Sequence, residues 1–184
     1  ILLLIQFILY LNIINPNKGI LYITPLNFIK IFINFFIIFT GILCIDGIDG
    51  LLGSLSIVTL FFINVKNSSL YIFNQIMIIS LISFLSKNKN PAAIFMGDTG
   101  STYLAAVITF LTLQFVSHPL ANLIYILTSL SSIIQVISIN IFKKKIFLKA
   151  PFHHSLEIIG YSENKIVILY NLLHIFLSII VRKK

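Results

Sequence analysis

The 184-residue sequence contains very little charge. Only 10% of its residues are charged, and just five of them are acidic. An ordinary soluble domain is about 25% charged and about 45–50% apolar. Here 58% of the residues are hydrophobic, and the few charges are too sparse to solvate a globular surface. The composition therefore excludes an ordinary soluble domain and indicates an integral membrane protein.

Cysteine is also scarce, since Cys44 is the only one in the sequence. A single cysteine excludes a disulfide framework and a zinc site built from several cysteines. What the sequence does have is long apolar stretches, and crossing a bilayer takes about 20 such residues. We identify apolar runs at 1–14, 26–45, 51–65, 69–86, 99–117, 119–141 and 164–181. These runs predict an all-α, polytopic transmembrane helical bundle of about six to seven spans, forming a single domain over residues 1–184.

The net charge is +8, and most of the lysines that contribute to it lie in the short loops between the apolar runs. That distribution is typical of membrane topology signals and does not favour nucleic-acid binding. Alternating spans would place the loops at 46–50, 87–98 and 142–163 on one face. This face holds six lysines, which are Lys87, Lys89, Lys143, Lys144, Lys145 and Lys149. The positive-inside rule predicts that it is cytoplasmic.

All five acidic residues of the sequence fall on the same predicted face, together with two adjacent histidines. The acids are Asp46, Asp49, Asp98, Glu157 and Glu163, and the histidines are His153 and His154. Ionisable groups are costly at a membrane and usually serve a function. We therefore predict that three loops distant in sequence meet there and form a site.

The first loop carries the motif IDGIDGLLG. Asp46 and Asp49 are three residues apart, which places both carboxylates on one helical face. The glycines after each aspartate allow the backbone to approach a ligand closely. Helix capping is the alternative interpretation, but the doubled Asp-Gly at a span boundary favours a site.

The second loop carries FMGDTGS at 95–101. Asp98 lies between two glycines, and a carboxylate on such a turn suits Mg²⁺ that also holds substrate phosphates. Asn88 and Phe95 precede it and offer an amide for hydrogen bonding and a ring for stacking. The alternative is that Thr99 or Ser101 simply caps the next helix.

The third loop carries APFHHSLEIIGYSE at 150–163. His153 and His154 follow several lysines and offer phosphate-binding donors that titrate near neutral pH. A zinc site is disfavoured, because no cysteine is nearby. His118 and His174 are interpreted as structural.

These three motifs, in this order, resemble the polyprenyl-phosphate N-acetylhexosamine-1-phosphate transferase superfamily (glycosyltransferase 4). The similarity is carried by IDGIDGL, NPAAIFMGDTGS and the run SIIQVISINIFKKKIFLKAPFHHSLEIIGYSENKIV. The APFHHS and GYSE segments are similar to the muramoyl-pentapeptide branch of the family.

The resemblance implies a phospho-sugar transferase of the bacterial inner membrane with a cytoplasmic active site. It implies Mg²⁺-dependent transfer of phospho-N-acetylmuramoyl-pentapeptide from its UDP-sugar to undecaprenyl phosphate, with release of UMP, in peptidoglycan synthesis. A homodimer is the family expectation. The alternatives are a related UDP-N-acetylhexosamine transferase for another surface glycan and an inactive remnant of such an enzyme.

The resemblance also implies roles for individual residues. Asp98 would be a metal ligand and a catalytic residue. Asp46 and Asp49 would lie in the nucleotide-binding and catalytic cleft, and Asn88 would line the same pocket. Phe95 would stack near the uracil, while His153 and His154 would contact the phosphates or sugar of the donor.

Three features depart from the family pattern. Thr40 and Leu43 occupy positions where the family carries asparagine, and Ser155 replaces the third member of a histidine triplet. An aspartate pair expected in an earlier cytoplasmic loop is absent. We therefore expect the chain to be the C-terminal part of a longer enzyme, inactive without that region.

Overall fold

The computed structural model describes residues 25–63, 65, 68–115 and 122–182. These residues form helices and no strand, which confirms the predicted all-α class. The helices are α1 (Pro25–Ile45), α2 (Leu51–Phe62), α3 (Ser68–Asn88), α4 (Gly97–Phe115), α5 (Leu123–Phe142), α6 (Phe152–Ile159) and α7 (Glu163–Arg182). The predicted run at 1–14 and His118 lie outside the described residues.

Four of these helices are long and apolar enough to cross a membrane. The qualifying stretches are Phe28–Ile45, Ser69–Asn88, Leu123–Phe142 and Glu163–Val181. Their outer surfaces carry large exposed apolar side chains, such as Ile72 and Ile76 on α3 and Phe176 on α7. Such surfaces are expected where a helix faces lipid, and the chain is a multi-pass helical membrane protein.

The two remaining predicted spans, at 51–65 and 99–117, also form helices, but these are shorter or less apolar than the four candidate spans. The 12 residues of α2 rise about 18 Å, which is less than the ~30 Å hydrocarbon core of a bilayer. α2 packs between α3 and α7, and Leu51, Leu55 and Leu60 on it are fully buried. α4 begins with the polar sequence GDTGST, which lowers the hydropathy of its N-terminal third.

The interior of the bundle combines a close helix contact with a polar network. α1 and α5 approach so closely that a side chain at Gly41 would overlap the backbone carbonyl of Tyr125. The Tyr125 hydroxyl lies 2.5 Å from Thr59 Oγ1, which is 2.8 Å from His174 Nε2. This network joins α2, α5 and α7 at their centre. His174, interpreted as structural from the sequence, is fully buried within it.

Candidate functional site

The three loops predicted to form a site meet at one end of the bundle. A Cβ atom added at Gly47 would lie 2.6 Å from His154 Nε2 and 3.7 Å from His153 Nε2. Both imidazoles therefore lie beside the turn that follows α1. The backbone N–H of Ala92 donates a 2.9 Å hydrogen bond to Asp49 Oδ2, which ties the second loop to the same turn.

A buried asparagine fixes the first two loops to each other. The Asn88 side-chain oxygen accepts a 3.2 Å hydrogen bond from Gly50 N–H, and its amide nitrogen donates to the Ile94 carbonyl at 2.9 Å. Both ends of the Asn88 amide therefore bind backbone groups. Its observed contacts hold the 89–96 segment against the turn.

Two adjoining cavities open between these loops. The larger has a volume of about 490 Å³ and is lined by Leu43, Cys44, Asp46, Gly47, Asp98, Ser101 and Thr102. The smaller, of about 270 Å³, is lined by Asp46, Gly47, Ile48, Asp49, Asn88, Phe95, Met96, Gly97 and Asp98. Asp46 and Asp98 line both cavities, so the two carboxylates lie where the cavities adjoin. Phe95 is 75% exposed, so its ring is free to stack on a ligand.

Asp46 has an unusual electrostatic environment. Partial burial raises the pKa of its carboxyl group, a hydrogen bond with Ser101 lowers that pKa, and the nearby negative charge of Asp98 raises it. The Ser101 side chain is buried in the first turns of α4. The sequence suggested only a capping role for Ser101. Its position three residues after Asp98 was the available signal that it could reach the same cleft.

The carboxylate pair can be compared with what a divalent cation requires. Within the described part of the chain, no group of three His, Cys, Asp or Glu side chains is placed to hold a metal ion. Mg²⁺, however, usually uses one or two protein carboxylates and completes its shell with water and substrate phosphates. Asp46 and Asp98 line the same cavities and repel each other electrostatically. They therefore fit a cation held jointly with a phosphorylated substrate.

His153 is a buried side chain without hydrogen-bond partners. The whole residue is inaccessible to solvent, and neither ring nitrogen has a hydrogen-bond partner among the described residues. Burial and the positive charges of His154 and Lys149 lower the pKa of His153 to about 3. The imidazole is therefore neutral at physiological pH. Leaving buried polar atoms unpaired is costly, so these nitrogens are suited to a ligand that enters the site.

His154 is oriented by an acidic neighbour. Its Nδ1 lies 2.5 Å from Glu157 Oε2, one turn further along α6. The other nitrogen, Nε2, lies beside Gly47. The contact with Glu157 thus fixes the ring with Nε2 directed to the Asp46 turn, which the sequence did not reveal.

Two further polar residues hold the loops in place. Ser155 Oγ accepts a 3.1 Å hydrogen bond from Lys149 N–H and donates one to the Lys149 carbonyl at 2.5 Å. The serine that replaces a histidine therefore closes the turn before α6. Asn90 Nδ2 donates a 2.8 Å hydrogen bond to Glu163 Oε2, which links the second loop to the start of α7.

The sequence matches a known protein family and several bacterial enzymes. The sequence profile of glycosyl transferase family 4 matches residues 1–116. A phospho-N-acetylmuramoyl-pentapeptide-transferase of Carboxydothermus hydrogenoformans is 38% identical over 143 residues, covering 73% of this chain and 44% of the relative. The enzyme of the same name from Dictyoglomus turgidum is 37% identical over 156 residues, covering 79% and 51%. The Staphylococcus aureus (strain JH9) enzyme is 39% identical over 133 residues, covering 68% and 41%. The chain thus spans about half the length of the curated relatives it matches.

Proposed function

Because the chain belongs to glycosyl transferase family 4, we propose that it carries part of the active site of a phospho-sugar transferase. The proposed donor is UDP-N-acetylmuramoyl-pentapeptide, and the proposed acceptor is undecaprenyl phosphate. An oxygen of the lipid phosphate attacks the phosphorus that bears the sugar, and the bond from that phosphorus to UMP breaks. A new diphosphate bond joins sugar and lipid, and UMP leaves.

The observation that carries this proposal is the convergence of Asp46, Asp98 and the two histidines. These groups come from three loops that meet at one end of the bundle. Asp46 and Asp98 line two adjoining cavities there, and the two imidazoles lie beside Gly47, which lines both. A reaction between a soluble nucleotide and a membrane lipid needs such a site at the end of the spans. Holding both phosphates in one geometry supplies much of the rate enhancement, since proximity converts a bimolecular step into an intramolecular one.

Each group has a distinct proposed task. Asp46 and Asp98 would hold Mg²⁺ together with the substrate phosphates. When bound, the metal would neutralise negative charge on the diphosphate and so favour attack and departure. The exposed ring of Phe95 would stack on the uracil, as its place on the smaller cavity suggests.

The two histidines would contact the donor beside the Asp46 turn. His154 Nε2 would bind a phosphate oxygen, because its other nitrogen is engaged by Glu157. His153, neutral and without a partner among the described residues, would donate a hydrogen bond to the phosphate or sugar. Asp49, proposed from the sequence as part of the cleft, lines the smaller cavity and also holds Ala92. We place it at the nucleotide end, where it positions the loop that bears Phe95.

The proposed location is the bacterial inner membrane, with the site on its cytoplasmic side. Lysines of the 87–98 and 142–163 loops support that orientation through the positive-inside rule. UDP-sugars are soluble nucleotides, so a site for them must open to water at that face.

A UMP-release assay tests the proposal. The protein expressed from its complete gene would be reconstituted with undecaprenyl phosphate, Mg²⁺ and UDP-N-acetylmuramoyl-pentapeptide. Release of UMP with formation of the lipid-linked sugar is expected, and a chelator should abolish both. UDP-N-acetylglucosamine is the matched control donor. Turnover of that donor alone would reassign the substrate, and failure with every UDP-sugar would refute the transferase activity.

A further inference from the structure

The segment from Phe142 to Phe152 has an unusual composition for a surface loop. Its sequence, FKKKIFLKAPF, places lysines among large apolar side chains. Phe142 is 67% exposed, and Ile146 and Leu148 are each 59% exposed. Since α5 ends at Phe142, where a candidate membrane span also ends, the segment begins at the membrane boundary. We call residues 142–149 the basic loop.

The basic loop is held in a defined shape by α5. Ser131, Gln135 and Ser138 lie on one side of that helix, at intervals of four and three residues. The Gln135 side-chain oxygen accepts hydrogen bonds from Ile146 N–H and Phe147 N–H, at 3.1 and 3.0 Å, and its nitrogen donates to the Phe147 carbonyl at 3.0 Å.

The two serines, one on each side of Gln135 in the sequence, also form hydrogen bonds with the backbone of this segment. Ser138 donates a 2.8 Å hydrogen bond to the Lys144 carbonyl, and Phe152 N–H donates to Ser131 Oγ at 3.2 Å. Several backbone groups of the loop are thus directed toward α5 and hydrogen-bonded there, namely those of Lys144, Ile146 and Phe147. Exposure of Ile146 and Leu148 is therefore a property of an ordered segment.

The lysines of the basic loop have no acidic partner in the part of the chain that the structure describes. The only ion pair among those residues joins His154 to Glu157. Lys143, Lys144 and Lys145 are all exposed. Three adjacent cations without a counter-charge in the described part of the chain, next to exposed apolar side chains, fit a partner that is both anionic and apolar.

We infer that the basic loop docks on the surface of the membrane its own helices cross, and that it binds the headgroups of anionic phospholipids. Lysines near an anionic leaflet are attracted to it, while large apolar side chains enter the boundary between headgroups and acyl chains. A soluble nucleotide could neutralise the lysines but would leave Ile146 and Leu148 in water. An anionic lipid surface would bind the lysines and also cover the apolar side chains, so we assign the loop to it.

Docking would also fix the height of the site relative to the membrane. The basic loop leads directly into α6, and Ser155 holds both backbone groups of Lys149. The histidines of α6 therefore move with the loop. Docking of the basic loop itself does not depend on the proposed reaction.

The absence of tryptophan from the sequence makes a direct test possible. Leu148→Trp introduces a single tryptophan in the basic loop, and Ile134→Trp introduces one within α5 as a control that contacts lipid in any bilayer. Each variant would be reconstituted in vesicles of phosphatidylcholine alone or mixed with phosphatidylglycerol. Quenching by brominated lipid and by aqueous iodide would then be measured.

The inference predicts that Leu148→Trp is quenched by brominated lipid and protected from iodide in the mixed vesicles, and less so in neutral ones. Replacing Lys143, Lys144 and Lys145 by Gln should shift the docked fraction toward water, by about fivefold in the equilibrium for each lysine removed. Ile134→Trp should be unaffected. As a second measurement, the unmodified protein should retain phosphatidylglycerol during purification better than the triple Gln variant.

Three results would overturn the inference. Access of iodide in both vesicle types would show a loop in water. Protection from both quenchers would show that another part of the protein covers it. Equal quenching by brominated lipid in both vesicle types and in the triple Gln variant would show that anionic headgroups play no part.

Discussion

His153 and His174 are both completely buried, yet they lie in chemically different regions. His174 is in the centre of the bundle, where its Nε2 is 2.8 Å from Thr59 Oγ1 and its ring packs edge-on against Tyr125. His153 lies in the loop region, beside the Asp46 turn, and neither of its nitrogens has a partner among the described residues. The fold itself supplies a hydrogen-bond partner for His174. Both nitrogens of His153, in contrast, are left for a ligand.

This difference distinguishes residues that stabilise the bundle from residues available for a ligand. A hydrogen bond between buried partners contributes about 1 kcal/mol, whereas a buried polar atom without a partner costs about 1–3 kcal/mol. A fold that keeps His153 in its present place therefore loses stability there. A ligand that hydrogen-bonds to these nitrogens would recover that stability.

The largest expected effect concerns the loop region and activity. Asp98→Asn removes a proposed ligand from both cavities and should reduce Mg²⁺-dependent UMP release by at least about a thousandfold. Glu163→Gln, on the same face but bonded to Asn90 instead of lining the cavities, is the matched control and should change the rate only slightly. Near-normal turnover of Asp98→Asn would show that this carboxylate only caps α4.

The next effect concerns the bundle and stability. His174→Ala removes the hydrogen bond to Thr59 and leaves a cavity, so it should lower the free energy of unfolding by about 3 kcal/mol. His153→Leu nearly keeps the volume and removes two nitrogens that have no partner among the described residues, so stability should be unchanged or higher while UMP release falls. Thermal unfolding in detergent measures both, and equal losses in the two variants would erase the distinction between the histidines.

Acid should destabilise the folded protein through His153. The unfolded chain protonates this imidazole below about pH 6.5, whereas in the folded protein its pKa is lowered to about 3. The groups that face it are His154, Lys149 and the ring of Tyr170. Because the unfolded state binds the proton first, the folded state loses stability as pH falls from about 6.5 toward 3.

The size of this effect can be measured against a variant. At pH 5, about 1.5 units below the pKa of this imidazole in the unfolded chain, the free energy of unfolding should be lower by about 2 kcal/mol. Comparing unfolding at neutral pH and about pH 5 should show that loss in the parent and a smaller one in His153→Leu. Identical pH profiles would mean that His153 is not the neutral buried group described above.

The smallest expected effect is local. Asn88→Ala leaves Gly50 N–H and the Ile94 carbonyl without their partners, at a cost of about 1–2 kcal/mol. Amide exchange in the 89–96 segment, measured by mass spectrometry, should accelerate about tenfold, since local opening is governed by the same free energy. Exchange in the apolar core of α2 should stay unchanged. Acceleration throughout the chain would assign Asn88 to global stability instead.

Much of the fold and of the site followed from the sequence, for simple physical reasons. Membrane spans are long and continuously apolar, so α1, α3, α5 and α7 were visible as runs. Asp46, Asp98 and the histidines stood out because polar residues are rare here, and alternating spans predicted that their loops would meet. The proximity of His154 to Gly47 and the hydrogen bond from Ala92 N–H to Asp49 show that the three loops do meet.

Other features were hidden by the same apolar background. The run at 51–65 gave no signal that α2 would end at Phe62, too short to span a bilayer unaided. Ser131, Gln135 and Ser138 lay within an apparent span, so their hydrogen bonds to the basic loop could not be anticipated. The sequence shows that Asn88 offers an amide for hydrogen bonding, but it does not show that Gly50 and Ile94 are its partners.

The most direct test of the central claim, that three distant loops form one site, is a distance measurement between two of them. In a Cys44→Ala background, Gly47→Cys and His154→Cys would be treated with a short bifunctional thiol reagent and the linked peptides identified by mass spectrometry. Gly47→Cys with Ser69→Cys is the control, since Ser69 lies about 30 Å along α3 from Asn88 and the turn it contacts. The structure predicts efficient intramolecular linkage for the first pair and none for the second. Failure of the first pair to link in correctly folded protein, or equal linkage of both pairs, would contradict the convergence of the loops.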